Sequence, residues 1–370
     1  MIFGKSRVKK RGSPDYLIIA CVLILVIFGL LMLSSASSHL GKSKFNDTYY
    51  YLKHQIIYGL SLGILGFFLM SRIYYRRLEK LAVPFLLISI VLLILVFTPL
   101  GVATKGAARW VGLGPVSFQP SEIVKMTFLI YLASWFASRD ERKRTFKQGL
   151  VPFLSMLGVI SALLLRQPST STAVILLATA LIAYFMSGSK VSYIFGVTLV
   201  SALALLTIIY ATPYRRERIQ SFLSPNENIE ASGFHLNQAL IAIGSGGLAG
   251  VGYGQSTTKV SFLPEPVGDS IFAIIGEELG FIGSALLITV FLILILRILS
   301  LSRKAPDKFA ELILISFGTL IAIQTFVHIA AISGLLPLTG TPLPFISYGG
   351  TALAVFMTMG GIIVNISKYT

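Results

Sequence analysis

The sequence is poor in charge, histidine and cysteine. Charged residues make up 12% of its 370 residues and hydrophobic residues 55%, whereas about a quarter of a soluble domain is charged. The single cysteine, Cys21, excludes an internal disulfide and a cysteine-built metal cluster. The four histidines are scattered along the sequence, which disfavours a histidine-built metal site. This composition excludes a soluble domain.

Acidic residues are scarcer than basic ones, with 15 Asp and Glu against 31 Lys and Arg, which gives a net charge of +16. Such an excess is typical of nucleic-acid-binding proteins, but the apolar runs are too long for that class, so nucleic acid is excluded as a partner. The first run, Leu17 to Leu33, follows a basic start and is longer than the hydrophobic region of a secretory signal, about 7–15 residues. We therefore expect a retained first transmembrane helix.

Stretches of roughly 20 mostly apolar residues predict an all-α polytopic membrane protein with about ten transmembrane helices. The predicted spans are Leu17–Ser35, Gln55–Met70, Leu81–Leu100, Ile123–Ala137, Leu150–Leu165, Thr172–Ser187, Val191–Tyr210, Ser270–Leu296, Glu311–Ile332 and Leu343–Asn365.

The distribution of basic residues predicts the orientation. A cytoplasmic N-terminus places about 20 Lys and Arg on the inner side and about 10 on the outer side, so N-in and C-in follow from the positive-inside rule. Residues 1–16 then form a basic cytoplasmic tail, and residues 211–269 form one large, folded extracytoplasmic loop between helices 7 and 8. No repeat or linker divides the chain, so 1–370 is predicted to be a single membrane domain.

An acidic residue at the end of this loop is a candidate for chemistry. Asp269 stands between a stretch stiffened by proline and glycine, which also contains Glu265, and the start of a predicted helix. One interpretation is a helix N-cap. The other is a carboxylate that accepts a proton, kept ionised by the helix N-terminus.

Two further groups of charged residues lie on the predicted outer side. Glu122 and Lys125 are spaced i, i+3 and can pair on one helix face; they either line a cavity or form an interfacial pair whose side chains extend to the headgroups. The remaining candidates are basic: Lys105, Arg109, Arg215 and Arg218. Arginines suit pyrophosphate recognition, but the same residues could bind anionic lipid headgroups.

Several longer motifs follow one another along the chain. They are Lys105-Gly-Ala-Ala-Arg-Trp, Phe118-Gln-Pro-Ser-Glu-Ile-Val-Lys, Gln238 with Ile241-Ala-Ile-Gly-Ser-Gly-Gly-Leu, Phe262-Leu-Pro-Glu, Asp269-Ser-Ile-Phe-Ala with Glu277-Glu-Leu-Gly, and Gly334-Leu-Leu-Pro-Leu-Thr-Gly-Thr-Pro-Leu-Pro-Phe-Ile-Ser-Tyr-Gly-Gly. In sequence and order, over nearly the whole chain, they resemble the motifs of the SEDS family of bacterial cell-wall proteins, the FtsW/RodA group. The ending Gly361-Ile-Ile-Val-Asn-Ile-Ser is closer to the FtsW branch.

The resemblance implies a peptidoglycan glycosyltransferase of the bacterial plasma membrane that polymerises lipid II at the outer face. It also implies a class B penicillin-binding protein and other divisome or elongasome membrane proteins as partners. The family's catalytic aspartate corresponds to Asp269, and its paired acid and base correspond to Glu122 and Lys125. On this basis Lys105, Arg109, Arg215 and Arg218 would offset pyrophosphate charge, and Gln238 and Glu265 would contact or support the substrate. No cofactor is implied, and a divalent cation stays open.

Three positions depart from the family pattern. Ser169 replaces a common acidic residue, Val267-Gly268 replaces a His-Thr pair before the catalytic aspartate, and His328 replaces an asparagine. The second departure removes an imidazole expected near the site. These changes keep two other functions open, a lipid II transporter (flippase) and a catalytically weak scaffold that activates the penicillin-binding partner.

Overall fold

A bundle of apolar helices forms the body of the protein in the computed structural model, which describes residues 12–104, 107–114, 116–137, 145–223, 232–261 and 263–370. The helices are α1 (Tyr16–Phe45), α2 (Tyr50–Arg72), α3 (Arg76–Lys80), α4 (Ala82–Leu95), α5 (Pro120–Ala137), α6 (Phe146–Arg166), α7 (Thr170–Met186), α8 (Val191–Ala211), α9 (Pro213–Leu223), α10 (Ser232–Ser245), α11 (Thr258–Ser261), α12 (Ile271–Ser302), α13 (Lys308–Ile332) and α14 (Gly350–Ser367). Helix α2 has a π-helical segment at Gln55–Leu60, and α6 begins with another at Phe146–Leu150.

Every predicted span overlaps one of these helices. Within the described residues, seven helices are long and apolar enough to cross a membrane, namely α1, α2, α6, α8, α12, α13 and α14. Helices α4 and α7 are apolar but shorter, and α5 has 18 residues and carries buried charges. The last predicted span starts too early, because α14 begins at Gly350 and the 343–349 stretch before it is not helical.

The all-α prediction is wrong between α4 and α5, where the chain forms a three-stranded antiparallel sheet. Its strands are β1 (Gly101–Thr104), β2 (Ala107–Leu113) and β3 (Val116–Phe118), in the order β1-β2-β3. Val111 pairs with Gly101 on one side and with Phe118 on the other. Arg109 lies on the central strand, β2, and the sheet immediately precedes α5 in the chain.

Two helices near the C-terminus occupy the centre of the bundle. Within an apolar 18-residue segment of each helix, 72% of the residues are buried in α13 and 78% in α14, whereas only 6% are buried in α8. Helix α13 packs against α5, α7 and α12, and α14 packs against α2. Because the 333–349 loop joins these two central helices, the loop is anchored in the bundle at both of its ends.

Helix α12 is broken at Gly280, whose backbone (φ 65°, ψ −162°) is not helical. The chain after α10 runs alongside this break and bonds to it on both sides: the amides of Val251 and Gly252 donate to the carbonyls of Glu277 and Glu278 at 2.9 and 3.0 Å. The two Glu side chains are 2% and 0% exposed. The first turns of α12 therefore pack together with the chain that follows α10, and these residues, 232–261 and 263–280, are called the 232–280 region.

Hydroxyl groups donate hydrogen bonds to both buried acids, and an ammonium group pairs with one of them. Ser256 and Thr258 donate their hydroxyls to Glu277 Oε2. Lys259 Nζ lies 2.7 Å from Glu278 Oε1, which also accepts from the Ser35 hydroxyl at 2.6 Å. Since Ser35 is on α1, this network attaches the 232–280 region to the helix bundle.

Candidate active site

A cavity of about 1480 Å³ opens between the helix bundle, α9, α10 and the 263–270 stretch. Apolar residues of the helices line part of it, among them Leu62, Ile123, Leu205, Ile209, Val327 and Val355. Most of the charged candidates line it as well: Arg109, Glu122, Arg215, Arg218, Glu265 and Asp269. A cavity with both apolar and charged lining residues suits a ligand that has both a hydrocarbon part and an anionic part.

Asp269 is positioned by hydrogen bonds between its own segment and the distant 347–348 segment. The Tyr348 amide donates to the Val267 carbonyl at 2.9 Å, and the Ser347 hydroxyl donates to the Gly268 carbonyl at 2.8 Å. The N-cap of α12 is Ser270, not Asp269, so the N-cap interpretation of Asp269 is wrong. Its carboxylate is half-buried, lines the cavity and lies beside Gly340, where an added Cβ would be 3.2 Å from Asp269 Oδ2.

An imidazole lines the same cavity as this carboxylate, although the sequence lacks the family's histidine before Asp269. His235 of α10 lines the cavity, and its Nε2 is 2.6 Å from the Ser270 hydroxyl oxygen. That hydroxyl donates its only proton to the Pro264 carbonyl at 2.7 Å, so Nε2 carries the hydrogen and donates to Ser270. The position before Asp269 thus lacks an imidazole, while a histidine from another helix supplies one to the same cavity.

Two arginines flank the start of α7. Arg109 donates through Nε and Nη2 to the carbonyls of Gln167 and Pro168 at 3.3 and 2.7 Å. Arg215 donates through Nε to the Thr170 hydroxyl at 2.9 Å and through Nη2 to the Leu165 carbonyl at 3.3 Å. Both guanidiniums are thereby held beside a helix N-terminus, where the backbone itself favours anions.

The third arginine faces the cavity from one side of α9. Arg218 follows Arg215 by three residues, so the two share a helix face, whereas Arg216 between them is exposed and does not line the cavity. Arg218 Nη1 donates to the Leu338 carbonyl at 3.1 Å. The bond connects α9 to the 333–349 loop, which also contacts Asp269 through Gly340.

The predicted pairing of Glu122 with Lys125 is confirmed. Lys125 Nζ lies 2.8 Å from Glu122 Oε2, and both side chains are 3% exposed, so the interpretation as an interfacial pair extending to the headgroups is wrong. Lys125 also donates to Gln324 Oε1 of α13 at 2.8 Å and lies 5.3 Å from the centre of the Phe356 ring. Glu122 lines the cavity, and its partner connects α5 to both central helices.

An aromatic group borders the cavity near the π-helical segment of α2. The Tyr348 hydroxyl is 3.0 Å from His54 Nδ1, and both residues line the cavity together with Tyr58. Burial raises the pKa of the Tyr348 phenol, and its hydroxyl shares one hydrogen bond with the imidazole. The Gln55 carboxamide oxygen accepts from the Gly349 amide at 3.0 Å, which fixes the end of the 333–349 loop on α2.

The remaining predicted residues are distributed as follows. Glu265 lines the cavity and adopts a left-handed backbone (φ 50°). Gln238 lies on α10 one turn after His235 and is not among the residues that line the cavity. Lys105 lies outside the described residues. Among the described residues, no three His, Cys, Asp or Glu side chains are grouped so that they could hold a metal ion.

The sequence resembles one family over almost its whole length. Residues 15–370 match the FtsW/RodA/SpoVE family model, which is described as "Cell cycle protein". Stage V sporulation protein E of Bacillus subtilis (strain 168) is 34% identical over 362 residues, which cover 98% of this chain and 99% of that protein. A probable peptidoglycan glycosyltransferase FtsW of Geobacter sulfurreducens (strain ATCC 51573 / DSM 12127 / PCA) is 38% identical over 364 residues, with 97% and 96% covered.

Solved structures share the fold. A chain from a study of structural coordination of polymerization and crosslinking by a peptidoglycan synthase complex superposes with a TM-score of 0.80 at 26% identity, covering 96% of this chain and 98% of that one. The crystal structure of Thermus thermophilus rod shape determining protein RodA superposes with a TM-score of 0.70, also at 26% identity, with 96% and 97% covered.

Proposed function

The chain belongs to the FtsW/RodA/SpoVE family of cell cycle proteins, and we propose that it is a peptidoglycan glycosyltransferase that joins lipid II units into glycan strands. The observation that carries this proposal is the lining of the cavity, which combines the carboxylate of Asp269 and three arginines with apolar residues of the helices. Relatives with the name peptidoglycan glycosyltransferase support the same activity. A lipid-linked pyrophosphoryl disaccharide has the apolar, anionic and sugar parts that such a cavity can receive.

In the proposed reaction Asp269 is the general base. The 4-hydroxyl of the acceptor sugar attacks the anomeric carbon of the donor, a new C–O bond forms, and the bond from that carbon to the lipid pyrophosphate breaks with inversion. The hydroxyl proton passes to Asp269, and the pyrophosphate leaves on its lipid with the electron pair. Because the leaving group is already good, a carboxylate of ordinary basicity is sufficient, and positioning supplies much of the acceleration.

The arginines would stabilise the departing pyrophosphate. Arg109 and Arg215 flank the α7 N-terminus, so their charges and the helix dipole act on one place. Arg218 is placed to act nearer Asp269, and Lys105 stays a prediction for the same role.

The other predicted residues have supporting roles in this proposal. The Glu122–Lys125 pair holds α5 against α13 and keeps the cavity open. Glu265 shapes the turn before Asp269, because its carbonyl accepts from the amides of Gly268 and Ser270, each at 3.2 Å. Gln238 stays a predicted substrate contact, which would act from the same face of α10 as His235.

We extend the proposal to topology and partners. The ten helical segments would all cross the bacterial plasma membrane with both termini in the cytoplasm, and residues 211–269 would lie outside with the cavity mouth. A class B penicillin-binding protein would cross-link the strands, with other divisome or elongasome membrane proteins in the same assembly. The related chain from a peptidoglycan synthase complex supports such a partnership.

Polymerisation of purified lipid II by the wild type and by Asp269→Asn tests the assignment. We expect the variant to fold and insert but to lose about 10²–10⁴-fold in rate, as removal of a general base predicts. The matched control is Asp47→Asn, which removes a carboxylate from the α1–α2 connection, where Asp47 pairs with Lys53 at 2.7 Å. Near-normal polymer from Asp269→Asn would overturn its role.

The same proteins in vesicles distinguish the alternatives. Movement of labelled lipid II across the bilayer by the wild type, without polymer, would favour a transporter. A wild type that forms no polymer alone or with its partner, but that raises the partner's cross-linking rate, would favour a scaffold.

A further inference from the structure

A smaller chamber of about 210 Å³ opens off the main cavity beside Asp269. Asp269, Arg218, His235 and the 338–341 stretch line both spaces, so the chamber is reached through the cavity. Its far side is formed by α13, and the polar residue there is His328. Neither the proposed base nor the pyrophosphate site uses this residue.

His328 presents one hydrogen-bonded ring nitrogen and one unbonded one. Its Nδ1 lies 2.7 Å from the Thr341 carbonyl oxygen, and since a carbonyl only accepts, Nδ1 carries the hydrogen. In the neutral ring Nε2 is then an acceptor. The residue is 2% exposed, and Nε2 is buried without a hydrogen-bond partner among the described residues. A buried acceptor of this kind is costly unless a donor is supplied from elsewhere.

Two adjacent loop residues contact the proposed base and the imidazole, one each. Gly340 lies against the Asp269 carboxylate, and Thr341 holds the His328 ring. The next residue, Pro342, accepts at 2.8 Å from Gln324, which is on α13 one turn before His328. His328 therefore cannot turn away without breaking the loop contacts, and its free nitrogen stays fixed with respect to Asp269.

The size of the chamber indicates what the donor can be. A water molecule occupies about 30 Å³, so a space of about 210 Å³ accepts a polar substituent of a larger ligand as well as solvent. A ligand whose hydroxyl is bound at Asp269 would bring its neighbouring hydroxyls to the mouth of this chamber. A hydroxyl supplies the hydrogen that His328 Nε2 lacks.

We propose that this chamber binds one edge of the acceptor sugar and that His328 Nε2 accepts a hydrogen bond from a hydroxyl adjacent to the one that attacks. This inference rests on the proposed glycosyltransferase function and adds to it an acceptor subsite. His328 is thus a binding residue that orients the attacking hydroxyl toward the donor carbon.

The test is a double-mutant cycle in which one change is made in the protein, at His328, and the other in the acceptor sugar. The acceptor is a lipid II analogue whose lipid linkage cannot be cleaved, so that it cannot serve as donor. Three versions are compared: the complete acceptor with both neighbouring hydroxyls, one without the 3-hydroxyl, and one without the 6-hydroxyl. Addition of one unit from labelled lipid II is measured for the wild type and for His328→Phe. We expect the wild type to lose about tenfold in kcat/KM with one deoxy acceptor, the size of a neutral hydrogen bond.

For that same acceptor, the kcat/KM of His328→Phe should be no lower than its kcat/KM with the complete acceptor, because the variant has already lost the hydrogen bond. His328→Asn carries one donor and one acceptor and should retain most activity, which keeps the test valid if the Phe variant folds poorly. His39→Phe makes the same change on the exposed face of α1 and should behave as wild type.

Other outcomes contradict the inference in distinguishable ways. Two results would exclude a hydrogen bond between His328 and the sugar. One is equal wild-type turnover of all three acceptors. The other is that, for both deoxy acceptors, the loss caused by His328→Phe multiplies with the loss caused by removing the hydroxyl. Loss of activity in His328→Asn and His328→Phe alike, with equal loss on every acceptor, would assign the residue to structure alone. Absence of any transfer by the wild type would instead refute the proposed function.

Discussion

At the scale of single residues, the charges on α5 show how the site is built into the core. Glu122 and Lys125 are an ion pair almost without solvent contact, and such a pair depends on both members being present. Removing one partner leaves an uncompensated buried charge, which costs about 3–5 kcal/mol, whereas replacing both can be neutral.

We therefore expect Glu122→Gln to lower the unfolding temperature of the detergent-solubilised protein sharply, and Glu122→Gln with Lys125→Met to restore much of it. The chain offers a matched control, since Lys308 and Glu311 have the same spacing and a similar distance of 2.9 Å but are about one-third exposed. Glu311→Gln should cost at most about 1 kcal/mol. Equal shifts for the two single variants would show that burial does not govern the pair.

Residue-level prediction from the sequence succeeds where the interaction is local. The i, i+3 spacing predicts the Glu122–Lys125 pair because both residues share one helix. It misses His235 and identifies His328 only as a departure from the family pattern, because these residues come from α10 and α13 and line a chamber with Asp269 only after folding. Four scattered histidines disfavour a metal site, but their spacing says nothing about which of them approach a carboxylate.

At the scale of elements, the break in α12 depends on two glycines. Gly280 (φ 65°) and Gly250 (φ 80°) face each other so closely that a Cβ on Gly280 would lie 2.3 Å from the Gly250 amide nitrogen. A backbone contact cannot move aside as a flexible side chain can. The clamp between the 247–252 stretch and α12 thus requires glycine at both positions.

Gly280→Ala should consequently reduce folded yield and thermal stability, with loss of polymerisation, because it adds both a clash and left-handed strain. Size-exclusion profiles and thermal unfolding in detergent measure the effect. Gly244→Ala is the control, since no atom lies within 4 Å of its added Cβ, and it should leave stability unchanged or raise it by about 0.5–1 kcal/mol. A Gly280→Ala protein as stable as Gly244→Ala would contradict the clamp.

Element boundaries follow hydropathy where helices are long and uniform, as for α1 and α8. The small sheet is missed because its strands are short and β2, Ala107–Leu113, lacks a regular alternation of apolar and polar residues. Its stability comes from pairing with β1 and β3, which a local pattern does not report. The early start predicted for the last span has a similar origin, since residues 343–349 are largely apolar but are buried as a loop.

At the scale of the whole molecule, the charged contacts sort into two ends. Arg297 pairs with Asp15 at 2.7 Å, Arg76 pairs with Asp307 at 3.0 Å, and Lys368 donates to the Ser71 carbonyl at 2.7 Å. These bonds bring the N-terminal segment, the turns after α2 and α12, and the C-terminus together. The cavity residues are attached to the other ends of the same helices, which agrees with the grouping of basic loops on one side.

Cysteine labelling checks the proposed orientation. Cys21 is the only cysteine and is buried, so Cys21→Ala gives a clean background. Gln255→Cys, in the 232–280 region, should react with a membrane-impermeant maleimide in intact cells, whereas Lys304→Cys should react only after permeabilisation. Both positions are exposed in the fold, so burial cannot explain a difference. The reverse pattern would place the cavity in the cytoplasm.

The break at Gly280 has a mechanical consequence for the membrane setting. A continuous helix would transmit every change of tilt that follows from bilayer thickness to the residue at its tip. Here the segment that carries Asp269 is tied to the 333–349 loop and to the 247–252 stretch, and the long remainder of α12 can tilt below the break. Protein contacts thus set the register of the Asp269 carboxylate with the opposing loop, and we expect this register to stay unchanged when bilayer thickness alters the tilt of the helix.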